Sequence, residues 1–206
     1  MNRRDFIITG AAAGLILAAR PSALFAQDAE LPEVPDLVLG NPDATVTVTE
    51  YASYTCPHCA TFHDAVFKPL KRDYIDTGKI RFVYREVLFD RYGLWAAMVA
   101  RCGGEMRYFG IQEMLYKQQQ EWAASDNPNE VVENLRRIGR VAGLEDAQLE
   151  ACLSDGAMAQ AMVNKHETDA AADNITSTPS LVINGVKHGN MSFAELSGLI
   201  DAELAK

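Results

Sequence analysis

Thr55-Cys56-Pro57-His58-Cys59 decides the reading of this chain. The stretch before it, Asp43 to Tyr51, sets Val46, Val48 and Tyr51 among threonines, the pattern of a strand. After it, Cys59, Phe62, Val66 and Leu70 recur at steps of three and four and share one helical face. Pro57 fits a first helical turn, where an N–H has no partner to lose. Pro69 predicts a kink further along, and Gly78 a stop. Cys56 therefore heads a helix and is reachable, while Cys59 falls on its apolar side. Free N–H groups and the helix dipole favour negative charge on Cys56, and His58 adds a hydrogen bond or a positive charge nearby. A sulfur that leaves easily as thiolate makes a disulfide that opens easily.

Working outward, Lys79 to Leu88 alternates again and reads as a second strand, with Ile80, Phe82, Tyr84 and Glu86 on one side. From Tyr92 to Asp173 the segments read as helix. Stripes run through Tyr92, Trp95, Val99 and Cys102, then Tyr108, Ile111, Leu115 and Trp122, then Val131, Leu135 and Ile138. Shorter ones carry Leu149, Cys152 and Leu153, and Met158, Ala161 and Met162. Thr178-Pro179 leads into a short strand, Ser180 to Ile183, and Asn184-Gly185 signals a hairpin. Ser192 and Glu195 form a capping box for a last helix. Leu31 to Pro35 reads as an extended leader. The order is strand, helix, strand, helical block, hairpin, helix. A C-x-x-C after the first strand of such a βαβ unit is thioredoxin-like. The fold class expected is α/β: a thioredoxin fold with a helical domain, about 91–174, between its βαβ and ββα halves.

The first 26 residues read as an address. Arg3 and Arg4 precede an apolar stretch, Arg20-Pro21 follows, and Ala23 to Ala26 supplies small residues for cleavage near Ala26. Asn2-Arg-Arg-Asp-Phe-Ile7 resembles the twin-arginine export motif. The domain expected after processing is 27–206. The chain of 206 residues carries a net charge of -9, and removing residues 1–26 takes away three arginines and one aspartate, leaving -11. Such acidity argues against nucleic acid as a partner. With 48% hydrophobic and 23% charged residues, the composition is that of a folded domain and not of a disordered chain.

Cys56-Pro57-His58-Cys59 is the motif of the DsbA family of periplasmic disulfide oxidases, and the chain resembles that family over nearly all of its mature length. The resemblance implies a thioredoxin fold with a helical insert, and a cis proline in an X-Pro loop beside the C-x-x-C. Pro179, with Thr178 before it, matches that position and would contact the backbone of a bound client. It also implies unfolded or partly folded cysteine-containing clients, a quinone-linked membrane partner of the DsbB type, and no metal or organic cofactor. Glu50, six residues before Cys56, matches a buried acid that helps proton transfer at Cys59; its other reading is a solvated carboxylate.

Two features depart from the best-known members. Thr178 replaces a valine, and threonine there also occurs in relatives that act as isomerases or reductases. Cys102 and Cys152 are additional. In an exported protein the preferred reading is a structural disulfide between them, the alternative being two buried thiols. Cys56, Cys59 and His63 offer three possible metal ligands, but His63 reads as a helix-surface residue and no fourth ligand is apparent. A c-type haem requires histidine directly after Cys59, where Ala60 stands. The leading expectation is a monomeric periplasmic oxidase. A reductase or isomerase is the runner-up, and a thiol-based chaperone or metal carrier is the reading from another class.

Overall fold

The structure is a computed structural model, and it describes residues 30–206. The export segment read over residues 1–26 lies outside them. Five strands form one sheet in the order β1-β3-β2-β4-β5. β2 (Thr47–Ala52) and β3 (Arg81–Glu86) run parallel at its centre, with Glu50 opposite Tyr84. β4 (Ser180–Ile183) pairs antiparallel with β2 and with β5 (Val186–His188). The turn between β4 and β5 holds Asn184 and Gly185 at φ 46° and 84°, the positive values that a two-residue hairpin of this type demands.

β1 (Leu37–Gly40) is an edge strand antiparallel to β3. The sequence reading placed only an extended leader before Asp43. Four residues, with Pro35 before them and a glycine at their end, are too few to show an alternation.

The crossover from β2 to β3 is a long helix in four parts. α1 (Pro57–Phe62) passes into a π-helical turn, His63–Phe67, then α2 (Lys68–Leu70), then a second π-helical turn, Lys71–Ile75. A kink was expected at Pro69. The structure shows a change of hydrogen-bond register on both sides of it. A π turn takes in an extra residue and rotates the face that follows. Cys59, Phe62, Val66 and Leu70 all face the core. So does His63, which the sequence reading had placed on the surface. Its ring stacks on Phe67 at 4.9 Å and lies 5.0 Å from that of Tyr116.

Between β3 and β4 come six helices: α3 (Arg91–Cys102), α4 (Gly104–Lys117), the short α5 (Gln119–Trp122), α6 (Pro128–Val141), α7 (Asp146–Leu153) and α8 (Gly156–Ala172). Their buried residues, among them Val99, Ile111, Leu115, Trp122, Leu135, Ile138 and Leu149, join those of the sheet and the crossover in one core. α9 (Phe193–Leu204) closes the chain behind a complete Ser192–Glu195 capping box, and Phe193 meets Tyr74 edge-on. On the reverse side of the sheet, Arg85 of β3 pairs with Asp36, Asp169 and Asp173, and Lys165 joins Asp36 and Asp169. These pairs tie the leader and α8 to the central strands. No helix among the described residues is long and apolar enough to cross a membrane.

Candidate active site

β2 ends at Ala52, and three residues carry the chain to Cys56 at the head of α1. This turn is held from several sides. The Cys56 N–H donates to the Ser53 carbonyl at 3.2 Å. Gln119 of α5 donates its side-chain amide to the carbonyls of Tyr54 and Cys56 at 2.7 and 2.9 Å. The Thr55 hydroxyl donates to Asp90 at 2.6 Å, and Asp90 caps α3 by accepting from the N–H groups of Tyr92 and Gly93. The helical insert thus braces the loop that presents Cys56.

The two sulfurs have different surroundings. Both are free thiols. Cys56 is partly exposed, between the exposed Pro57 and His58 on one side and Thr178 on the other. Its sulfur lies 3.5 Å from the Thr178 carbonyl oxygen. Cys59 is 0% exposed. Burial pushes its thiol well above the ordinary range, and Cys56, with Glu50 once ionised, pushes the same way. Hydrogen bonds from the Ser53 backbone and the Thr178 side chain oppose them without prevailing. Cys59 therefore rests as a protonated thiol when the pair is reduced.

Glu50 lies in β2, 2% exposed, and burial alone pushes its carboxyl up to about 8. At neutral pH it holds a proton within the field of Cys59. His63, one turn beyond Cys59, is pushed the other way, down to about 4, chiefly by burial and further by Lys68.

The Thr178–Pro179 peptide bond is cis. It stands at the entry to β4, which pairs directly with β2, so Glu50 opposes Leu181 and Tyr51 opposes Ser180. The sheet thereby brings the Thr178-Pro179 loop, Cys56, Cys59 and Glu50 into one region. Cys102 and Cys152 are bonded to each other, with S–S 2.14 Å, and join the end of α3 to α7. Among the described residues no cluster of three or more His, Cys, Asp and Glu side chains is placed to hold a metal ion.

Sequence reasoning missed Gln119, whose role depends on α5 reaching back across the C-x-x-C turn. The tyrosines of the insert read as core, as Tyr108 and Tyr116 are, but the reading did not reach their hydrogen-bonded pairing with Tyr54 and Tyr84. Tyr84 and Tyr108 sit in apolar patterns, and the pattern alone reports a ring without the destination of its hydroxyl.

Residues 33–202 match the thioredoxin family described as Thioredoxin. The solved structure of Wolbachia pipientis alpha-DsbA1 superposes with a TM-score of 0.76 at 30% identity, over 85% of this chain and 94% of that one. The chain belongs to the DsbA-like branch of the thioredoxin family. A Rickettsia bellii protein named "Putative protein-disulfide oxidoreductase" is 38% identical over 81% of this chain. The chain spans 63% of that relative's length. Disulfide bond formation protein D of Bacillus subtilis is 26% identical, over 81% of this chain and 76% of its own length. The mixed α/β fold of this DsbA-like chain is that of the family.

Proposed function

We propose that this DsbA-like chain is a protein thiol:disulfide oxidoreductase that acts as an oxidase, donating the Cys56–Cys59 disulfide to folding client proteins. The observation that carries the reading is the asymmetry of the pair. One sulfur is reachable beside the Thr178 carbonyl, and the other is sealed and held as a thiol. A client thiolate attacks Cys56, and the Cys56–Cys59 bond breaks. Its electron pair goes to Cys59, which takes up a proton, with Glu50 as the nearby store. The client's second thiolate then attacks the mixed disulfide at its own sulfur and releases Cys56 as thiolate. Two electrons pass from the client to the pair, and the client gains a disulfide. The loop at Thr178-Pro179 positions client backbone beside Cys56, and the exposed His58 lies two residues after it in the C-x-x-C. The exposed Phe89, next to Asp90, offers an apolar surface near this turn.

The same reading makes residues 1–26 an export signal removed near Ala26. The mature domain, 27–206, then works as a monomer in the periplasm on cysteine-containing clients. A DsbB-like quinone-linked membrane protein reoxidises it. The Rickettsia and Bacillus relatives support the reaction class by their names.

Two measurements test it. Cys56→Ser should abolish oxidation of a reduced, unfolded client; turnover retained in that variant ends the mechanism. The reduction potential against glutathione sets the direction. A value of about -150 mV or higher makes the pair a disulfide donor, and one near about -270 mV makes it a reductase.

A further inference from the structure

The Thr178-Pro179 loop is tied at its two ends, and both ends meet at one side chain of β2. Tyr51 follows Glu50, so its ring points to the opposite face of the sheet. There it is 1% exposed and packs with Val87, Val182 and Ile175. Arg85 stands beside it in the parallel register of β2 and β3, its guanidinium 5.6 Å from the ring. The Tyr51 hydroxyl accepts from Arg85 at 2.6 Å, donates to the Asp173 carboxylate, and lies 3.1 Å from the Asp169 carbonyl. Asp173 is the C-cap of α8, where the loop begins. Asn174, at φ 53°, turns the chain out of the helix, and its carbonyl accepts from Lys187 of β5. Ile175 donates its N–H to the Ala170 carbonyl at 2.8 Å. At the other end Ser180, 0% exposed, donates its hydroxyl to the Ser177 carbonyl at 2.7 Å and stands opposite Tyr51 in the β2–β4 register. Between these ends Thr176 and Ser177 are exposed, and the Thr178 carbonyl lies 3.5 Å from the Cys56 sulfur.

We propose that Tyr51 is a positioning residue for client docking: its hydroxyl, held by Arg85, fixes the end of α8 and so sets the Thr178 backbone beside Cys56. The ring alone would fill the apolar site. A hydroxyl, a guanidinium and a carboxylate brought together there lose hydration, which their mutual bonds replace. What the bonds add is direction. A ring can slide against its neighbours, whereas a hydroxyl that accepts from Arg85 and donates to Asp173 holds α8 at one place against β2 and β3. The strand that carries Tyr51 also leads to Cys56, five residues on. The reacting sulfur and the backbone beside it are therefore both referred to the same strand.

The consequence is a preference between thiols. Without the hydroxyl the end of α8 is less firmly placed, and the loop after it samples other positions. A peptide client that lays its backbone along the loop must then order it on docking. A small thiol with no backbone attacks Cys56 without that cost. Tyr51 thus favours peptide clients over small thiols and leaves the chemistry of Cys56 and Cys59 unchanged. Neither a proton nor an electron passes through it.

This inference rests on the thiol–disulfide reading of Cys56 and Cys59. It is tested by mixing the oxidised protein at pH 7 with a reduced two-cysteine peptide or with 2-mercaptoethanol, quenching with acid and reading the Cys56–Cys59 pair by mass spectrometry. Tyr51→Phe should slow the peptide reaction by about fivefold, the scale of one hydrogen bond, and the 2-mercaptoethanol reaction by less than about twofold. Asp173→Ala should do the same. Asp173→Asn keeps an acceptor for the hydroxyl and should recover most of the peptide rate. The double variant Tyr51→Phe/Asp173→Ala should be no slower than either single one, because both remove the same contact. Equal slowing with both thiols would make the hydroxyl a general support of the fold and overturn the proposal. An unchanged peptide rate, additive losses in the double variant or no recovery in Asp173→Asn would overturn it too. If Tyr51→Phe does not fold, Asp173→Ala at the more exposed end of the same bond decides, with Asp173→Asn beside it. A wild-type pair that reacts with neither thiol would overturn the thiol–disulfide reading itself, and the positioning role with it.

Discussion

Glu50 sits in the middle of a central strand with almost no exposure, and its acid form is the one the fold accepts. In the unfolded chain it ionises around 4.5; in the folded one, around 8. Between those values the unfolded chain sheds a proton that the folded chain keeps. The stability present below 4.5 is therefore lost as pH rises toward 8, at a slope of about 1.4 kcal/mol per pH unit within the window. Glu50→Gln should remove that slope, and urea unfolding at pH 5.5 and 8 will measure it. The variant gains on wild type as pH rises, while a constant difference between the two contradicts the buried-acid account. The position of Glu50 was legible in the sequence as six residues before Cys56. Its burial depends on β4 covering the same strand, a pairing across more than a hundred residues of chain. His63 shows the opposite case: it was read as a helix-surface residue, yet a step of four keeps it on the face of Cys59, and the fold buries it against Phe67 and Tyr116.

At the scale of elements, the insert and the thioredoxin halves are joined through a few named contacts. Gln119 of α5 and Asp90 at the start of α3 hold the turn before α1. The Cys102–Cys152 bond ties α3 to α7 across a sequence separation of 50. Closing a loop of that length in the unfolded chain contributes about 2–4 kcal/mol. The double variant Cys102→Ala/Cys152→Ala should lose that amount in chemical denaturation while keeping Cys56-dependent client oxidation. Unchanged stability would place the bond outside the structural role given to it. The helices of the insert were legible because their apolar stripes repeat at helical spacing over three or more turns. α5 and β1 were not, since four residues carry no period. The change of register around Pro69 was equally hidden: the sequence shows a missing N–H, and packing decides how the helix accommodates it.

For the whole molecule, two buried groups shape the response to pH in opposite senses. His63 remains neutral down to about 4 when folded, whereas its unfolded pKa is 6.5. Stability contributed above 6.5 is lost as pH falls through that interval. Glu50 and His63 oppose each other between 4.5 and 6.5, so their combined contribution is nearly flat there. It falls toward pH 8 through Glu50. The order of elements, the C-x-x-C at a helix head and the Thr178-Pro179 loop were all legible along the chain, and together they point to the DsbA-like fold. How the tyrosine hydroxyls pair behind Cys59 was not, because Tyr54 with Tyr108 and Tyr84 with Tyr116 join a turn and β3 to α4 only once these are packed. The central claim is that Cys56 is the sulfur a client meets and Cys59 the one displaced when it does. The most direct test is to react Cys59→Ser, with Cys56 activated as a mixed disulfide, with an unfolded client carrying a single reduced cysteine and map the products by mass spectrometry. The account predicts a persistent covalent adduct between Cys56 and the client cysteine, because neither Cys59 nor a second client thiol remains to displace it. Absence of any adduct at Cys56, or adducts formed through Cys102 or Cys152 instead, would contradict it.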